Sequence, residues 1–390
     1  MSAAFEYASA RSQLVSGLGC LQSLPARADA LGLRRLLFVS GTRSADSQAA
    51  QTVRLALGGR IVASASGVPP HSGVETVQAL AALARQERID GFISVGGGSA
   101  SDSAKACAIL LAEGGRLADH ANVFHPPDRY VQQALPAPKL PIIAVPTTLS
   151  AAEITPGLGI RDDQGHKLVF WDPQVVPRLI LLDGRATLDV PASLFASTGM
   201  NALAHCIEGL YSKVRNPVSD GLALQGLRLL KPALERVVAQ PDDEDARADA
   251  LVGAALSGMV ISNARVGIHH GVCHGLGALG GLAHGVANAV LLPHAMRFNR
   301  AVAADRLALV AQALGVDIQG LTEQQAADAA VAEVQALQQR LGVPRSLREA
   351  GLDRALVPRL AAGAMSDRGL YFNPRLATQA EVLSLLEAAW

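Results

Sequence analysis

The chain has 390 residues, 34 basic and 34 acidic, with 49% hydrophobic but only 4% aromatic residues. Zero net charge excludes a nucleic acid or anionic membrane held by bulk charge, and the length points to two domains filled mainly by Ala, Leu and Val. Cys20, Cys107, Cys206 and Cys273 form no CxxC pair and no disulfide-like spacing, and MSAAFEYASARSQLV is no signal peptide, so a cytoplasmic protein is expected.

In chain order, residues 34–40 (RRLLFVS), 60–65 (RIVASA), 91–95 (GFISV), 140–145 (LPIIAV) and 178–183 (RLILLD) are short apolar runs separated by helical stretches such as residues 74–86. This alternation predicts an α/β region with a buried parallel sheet. After residue 191 helical apolar spacing takes over through residue 386, which sets the boundary between 183 and 191. Residues 305–348 carry Glu and Gln at helical spacing and are expected to form an exposed, structural helix pair. Apolar runs such as 251–261 contain Gly and Ser and fall short of the roughly 20 residues that cross a bilayer.

Two stretches carry chemistry. ISVGGGSASDSAK (93–105) places three glycines at a strand end, with a helix expected from about Ser99. Bare backbone amides at a helix N-terminus suit a phosphate, while Ser99 and Asp102 are also spaced to cap the helix. The second stretch is HHGVCHGLGALGGLAHGVANAVLLPH (269–294), which holds five of the ten histidines and lies within a run, 266–296, without Asp, Glu, Lys or Arg. His270 and His274 are four apart, as are Asn201 and His205 in GMNALAHCIE (199–208), so each pair shares a helical face. Neutral imidazole ligates metals and moves protons near neutral pH. Cys206 and Cys273 beside the histidines read as small buried apolar residues. His166, His269 and His294 are further candidates for substrate contact, or are simply surface and supporting residues, and Arg265 and Arg297 are candidates to hold an anionic substrate, or are simply solvated.

GGGSASDSAK (96–105), PTTLSAAEIT (146–155), GMNALAHCIEGLYS (199–212) and HGVCHGLGALGGLAHGVANAVLLPHAMRFN (270–299) together resemble the iron-containing alcohol dehydrogenase superfamily, most of all its maleylacetate reductase-like branch. The resemblance implies an α/β N-terminal Rossmann-like dinucleotide-binding domain (1–185) plus an all-α C-terminal domain (186–390), with NAD(P)H in the cleft between them. It implies that Gly97, Gly98, Ser99 and Asp102 meet the pyrophosphate and nicotinamide ribose. Thr147, Thr148 and Lys167 line the cleft, and Lys167 is also placed to hold an anionic substrate. Gly41 stands where the family carries the acidic residue for the adenosine ribose, with Arg43 two residues on, an arrangement that permits NADPH. Asn201, His205, His270 and His284 occupy metal-ligand positions, and His274 matches the non-ligand histidine near the nicotinamide.

Departures from the family pattern point in two directions. Asn201 replaces the Asp of the metal-dependent branch, as in maleylacetate reductases expected to work without metal, and PTTLSAAE is one residue short in the same sense. AHGVANAVLLPHAMRFN resembles the metal-dependent branch instead, and Ala152 stands where both branches carry Ser. The expectation is therefore a maleylacetate reductase-like enzyme using His274, His270 and His205, with maleylacetate to 3-oxoadipate as the model reaction. The alternatives are a Fe2+- or Zn2+-dependent alcohol dehydrogenase, a dehydroquinate synthase-like lyase, and a nucleotide-binding protein without turnover. Expected partners are a small-molecule substrate and a second copy of the chain, with no nucleic acid and no membrane.

Overall fold

The computed structural model describes residues 4–70 and 72–390, so the first three residues of the N-terminal stretch lie outside it. The first half runs β1 (Gln13–Ser16), α1 (Leu24–Ala30), β2 (Leu36–Gly41), α2 (Gln48–Leu57), β3 (Ile61–Val68), α3 (Val74–Gln86), β4 (Gly91–Gly96) and α4 (Gly98–Glu113). It continues through β5 (Val123–His125), β6 (Arg129–Val131), β7 (Ile142–Pro146), β8 (Gly157–Arg161), β9 (Lys167–Trp171) and β10 (Leu179–Leu182). Among the described residues the main sheet is six-stranded, in the order β1-β10-β7-β4-β2-β3, and every pairing is parallel. Helices cover both faces, which is why β2, β4, β7 and β10 are buried almost end to end. The first of these strands starts two residues later than its apolar run predicts. The backbone amides of Arg34 and Arg35 donate instead to the Asp90 carboxylate, at 2.8 and 2.9 Å.

The β4–β7 register sets Gly96 opposite Pro146. The two loops leaving these strand ends, GGGS and TTLS, are therefore neighbours, and the Thr147 amide donates to the Gly96 carbonyl at 3.0 Å. The α4 helix begins at Gly98, one residue earlier than expected, with Gly97 at its cap and no side-chain cap bond. Ser99 does not cap it. Asp102 instead turns its carboxylate to the Gly159 amide of β8, at 3.0 Å.

The second half is helical: α5 (Ala192–Tyr211), α6 (Pro217–Ala239), α7 (Glu244–Ala264), α8 (Ile268–Ala278), α9 (His284–Asn299), α10 (Ala304–Ala313), α11 (Glu323–Leu341), α12 (Val357–Ala364), α13 (Gly369–Phe372) and α14 (Gln379–Ala388). One apolar cluster joins Ala144, Ile180 and Leu182 of the sheet to Phe195, Met200 and Leu203 of α5 and Leu227 and Leu230 of α6. The halves thus share a core. The α10–α11 pair is less exposed than its composition suggests, since Leu307, Val310, Ala327, Ala330, Val334 and Leu337 are buried in that same cluster. No single helix among the described residues is long and apolar enough to cross a membrane; α7 and α8 reach that threshold only as a pair bent by 107°.

Helix α9 crosses α5 at one point of very close approach. A Cβ on Gly285 would lie 2.8 Å from the backbone carbonyl of Ser197, a contact no side-chain rotation relieves. Gly285→Ala is accordingly expected to destabilise the fold by about 1–3 kcal/mol in thermal or denaturant unfolding, displacing His284 with the helix end. An unchanged midpoint would show that α9 slides freely on α5.

Candidate active site

The strand-end turn is a backbone cradle. Gly96 has φ +142°, and a Cβ there would lie 2.9 Å from Ser44 Oγ; a Cβ on Gly97 would lie 3.0 Å from Thr148 Oγ1. Side chains are excluded from the turn and the first amides of α4 stay bare, the arrangement that receives a phosphate. Gly41 ends β2 on the same edge, because β2 pairs with β4. Asp102 is buried beneath the turn, with one carboxylate oxygen on Gly159 and the other without a partner among the described residues. Burial pushes its pKa up, against the pull of Lys105. Lys105 ends the GGGSxxDxAK motif and has a role the motif does not reveal. Its buried ammonium donates to the carbonyls of Ala152, Thr155 and Gly157 at 2.5, 2.6 and 3.3 Å, pinning the loop after β7 against α4. Burial lowers its pKa to about 8.

The imidazoles converge from three helices. Helix α5 presents Asn201, His205 and Glu208 on one face, α8 presents His270 and His274, and α9 opens with His284. Ring centroids are 4.7 Å apart for His205–His270, 5.8 Å for His270–His284, 6.3 Å for His270–His274 and 6.1 Å for His274–His284. Asn201 Oδ1 lies 3.1 Å from His270 Nε2. Burial lowers the pKa values of His205 and His284 well below the usual range and that of His270 to about 4, so all three rings are neutral at pH 7.

Hydrogen bonding fixes which nitrogen of each ring is free. Glu208 Oε1 accepts the Gly267 and His269 amides at 2.8 and 3.0 Å, capping α8, while Oε2 lies 2.5 Å from His270 Nδ1. Burial alone would raise the pKa of this carboxyl, but the bonds from His269 and His270 hold it below the normal range. With three N–H groups on its two oxygens, Glu208 holds the start of α8 and the His270 ring in a close positioning network with His269. His270 Nδ1 therefore carries the proton and Nε2 the lone pair. The Ser257 hydroxyl donates to Ala254 O at 2.8 Å, so it can only accept from His205 Nδ1 at 3.2 Å. His205 Nε2 is free as well. Both free lone pairs face the space shared with Asn201 and His284.

His274 is placed differently. It is partly exposed, and its Nδ1 lies 2.7 Å from Asp367 Oδ2; Asp367 Oδ1 accepts the Gly369 amide at 2.7 Å. Burial acts to raise the Asp367 pKa, but His274 and these bonds hold it low. Lys167, exposed at the start of β9, is near both halves, since its charge acts on Asp102 below the glycine turn and on His284 and Asp367 of the helical half. On the same side, the Leu149 amide of the TTLS loop donates to Thr198 Oγ1 of α5 at 3.3 Å.

Other expected contacts fall elsewhere. His166 sits in an exposed turn against Asp162. His294 is ten residues along α9 from His284, roughly 15 Å by helical rise, and Arg297 bonds Gln335. His269 supports the site by bonding Asn288 O at 2.9 Å. Cys206 and Cys273 are buried as expected. Sequence reasoning missed Glu208, Ser257 and Asp367. Glu208 was readable as the third member of the Asn201–His205 helical face, whereas the other two carry no local signal.

The model of the Fe-containing alcohol dehydrogenase family, C-terminal, matches residues 195–390, and that of iron-containing alcohol dehydrogenase matches residues 11–184. The chain is 34% identical over 385 residues to the maleylacetate reductase of Burkholderia cepacia, covering 97% of this chain and 95% of that protein. Its fold is similar to a solved 1,3-propanediol oxidoreductase, with TM-score 0.92, 30% identity and 100% of both chains covered. It is also similar to the sulfoacetaldehyde reductase from Bifidobacterium kashiwanohense in complex with NAD+, with TM-score 0.86, 25% identity and 99% of both chains covered.

Proposed function

This chain belongs to the iron-containing alcohol dehydrogenase family, an oxidoreductase family, and on that premise we propose that it is an NAD(P)H-dependent reductase of the maleylacetate reductase kind. Residues 1–185 form the dinucleotide-binding domain, residues 186–390 the catalytic domain, and two copies of the chain a homodimer. The observation that carries the reading is the neutral amide of Asn201, where the metal-dependent branch has a carboxylate, beside a cluster of neutral imidazoles.

The bare amides of Gly97, Gly98 and Ser99 suit a pyrophosphate, with Gly41 toward the adenosine ribose and Asp102, Thr147, Thr148 and Lys167 lining the nicotinamide side. When bound, the nicotinamide supplies the hydride. The chain's part is proton handling and orientation. His274, held at Nδ1 by Asp367, presents Nε2 to the crevice. From there it donates a proton to the substrate as negative charge develops. His270 and His205, fixed by Glu208 and Ser257, present only lone pairs, so they bound the substrate space as acceptors and leave the carbonyl oxygen to His274.

Asn201 suits this cluster with or without a metal. With Oδ1 toward His270 Nε2, two acceptors oppose each other at 3.1 Å. That opposition and the free nitrogens of His205 and His284 fit a divalent cation such as Fe2+ or Zn2+, which would polarise a substrate oxygen. Rotating the Asn201 amide puts an N–H there instead, and the pair is satisfied with no ion. An Asp at this position lacks that option. The opposed acceptors favour the second reading, a metal-dependent alcohol dehydrogenase.

A panel of maleylacetate and simple aldehydes with NADH and NADPH, run with EDTA or added metal, separates the readings. Maleylacetate reduction that survives EDTA is expected. About one Fe or Zn per chain, with activity abolished by EDTA, would move the assignment to the metal-dependent reading, and cofactor binding without turnover on any carbonyl would end both. Asn201→Asp is expected to tighten divalent-metal binding about tenfold or more by adding a negative charge, measured as metal retained per chain after dialysis.

A further inference from the structure

The residue that follows Asp367 belongs to a cluster of cations that the mechanism does not use. Arg368 directly follows Asp367 and stacks on Tyr130 of β6, 3.5 Å from guanidinium carbon to ring centroid, with Phe372 at 4.9 Å. Arg265, in the turn joining α7 to α8, stacks on Trp171 at the end of β9, 3.8 Å from the ring centroid. The two guanidiniums are close enough that each acts on the Tyr130 hydroxyl and that Arg368 helps depress Arg265. No carboxylate contributes to the environment of either among the described residues.

Two like charges brought together without a counter-ion are unfavourable, and the protein holds them there. Aromatic stacking occupies the face of each guanidinium, and apart from the N–H that Arg368 gives to the Tyr130 hydroxyl it leaves the in-plane donors for a carboxylate. The backbone adds a second, independent observation. Arg265 has φ +64° and ψ 176°, a conformation essentially reserved for glycine. A glycine would relieve that strain, yet an arginine occupies the position.

We propose that Arg265 and Arg368 form a carboxylate-binding subsite beside His274, so that the substrate is a small oxo acid rather than a neutral aldehyde or diol. The proposal rests on the reductase reading above and assigns the substrate class of that site. Trp171 and Tyr130 hold the two guanidinium planes, and Asp367, next to Arg368 in the chain, ties the bound anion to the histidine that delivers the proton.

The test uses the full chain and the probe pair 4-oxobutanoate and butanal with NAD(P)H, together with calorimetric binding of succinate. In Arg368→Gln and Arg265→Gly the ratio of kcat/KM for 4-oxobutanoate over butanal is expected to fall about tenfold to a hundredfold, with the succinate Kd rising in parallel. Lysine at either position should recover part of the loss, because it restores charge but not the fork. Arg265→Gly should also unfold no earlier than the parent, which separates lost recognition from lost folding. Equal losses on both substrates, an unchanged ratio, or no succinate binding by the parent chain would each overturn the proposal. If the parent reduces neither compound nor maleylacetate but binds succinate in an Arg368-dependent way, the reductase reading falls and the anion subsite stands.

Discussion

Glu208→Gln is expected to leave the chain folded and to lower turnover by on the order of 10²- to 10⁴-fold. The buried carboxylate has three N–H groups on it: two amides at the start of α8 and His270 Nδ1. A glutamine carbonyl still accepts the two amides, so the helix cap survives. Its NH2 group then faces His270 Nδ1, and the ring can relieve the clash only by moving its proton to Nε2. That proton finds Asn201 Oδ1 at 3.1 Å, so no buried group is orphaned. The ring loses its free lone pair toward the crevice while the fold loses little. Thermal unfolding, single-turnover rate and, in the metal-dependent reading, retained Fe or Zn would be measured together. Normal turnover in a folded Glu208→Gln protein would mean that the His270 tautomer does not matter. Glu208→Ala is a poorer probe, because it strands three buried donors, each worth about 1–3 kcal/mol.

His274→Ala is expected to lower turnover by about 10²- to 10⁴-fold, the usual contribution of a positioned acid–base group, while dinucleotide affinity stays within about twofold of the parent. The prediction separates the two sides of the crevice. Phosphate recognition is assigned to the amides of Gly97, Gly98 and Ser99, and His274 lies on α8, hydrogen-bonded among the described residues to Asp367. The variant leaves Asp367 with the Gly369 amide and partial solvent contact, so the fold should tolerate the change. Cofactor titration by fluorescence and steady-state kinetics on the same preparation would check it. Unchanged turnover would remove His274 from the mechanism, and loss of cofactor binding would place it on the nucleotide instead.

Elements with local periodicity were readable before any coordinates. Short apolar runs alternating with helical stretches gave five of the six parallel strands of the main sheet, all but β1, and spacings of four placed Asn201 with His205 and His270 with His274. The same helical arithmetic extends from Asn201 through His205 to Glu208 and would have found the carboxylate. Asp367 pairs with a histidine 93 residues away, and no pattern around either residue announces the other. The exposed helix pair expected over 305–348 erred for a related reason. Composition sees the Glu and Gln face of α11, while burial of Val334 and Leu337 depends on which cluster the opposite face meets.

By itself, then, the amino-acid order determined the strand-to-helix turn of bare amides, the helical faces that carry imidazole, and the family to which the chain belongs. Each of these is written within a few consecutive turns of backbone. Only the tertiary structure decided which histidines share one space, with His284 inside and His294 outside, and which ring nitrogen is left free. It likewise decided that Arg265 and Arg368 stand together without a counter-charge. Proton positions and charge balance are set by atoms that touch, and in this fold those atoms come from segments far apart along the chain.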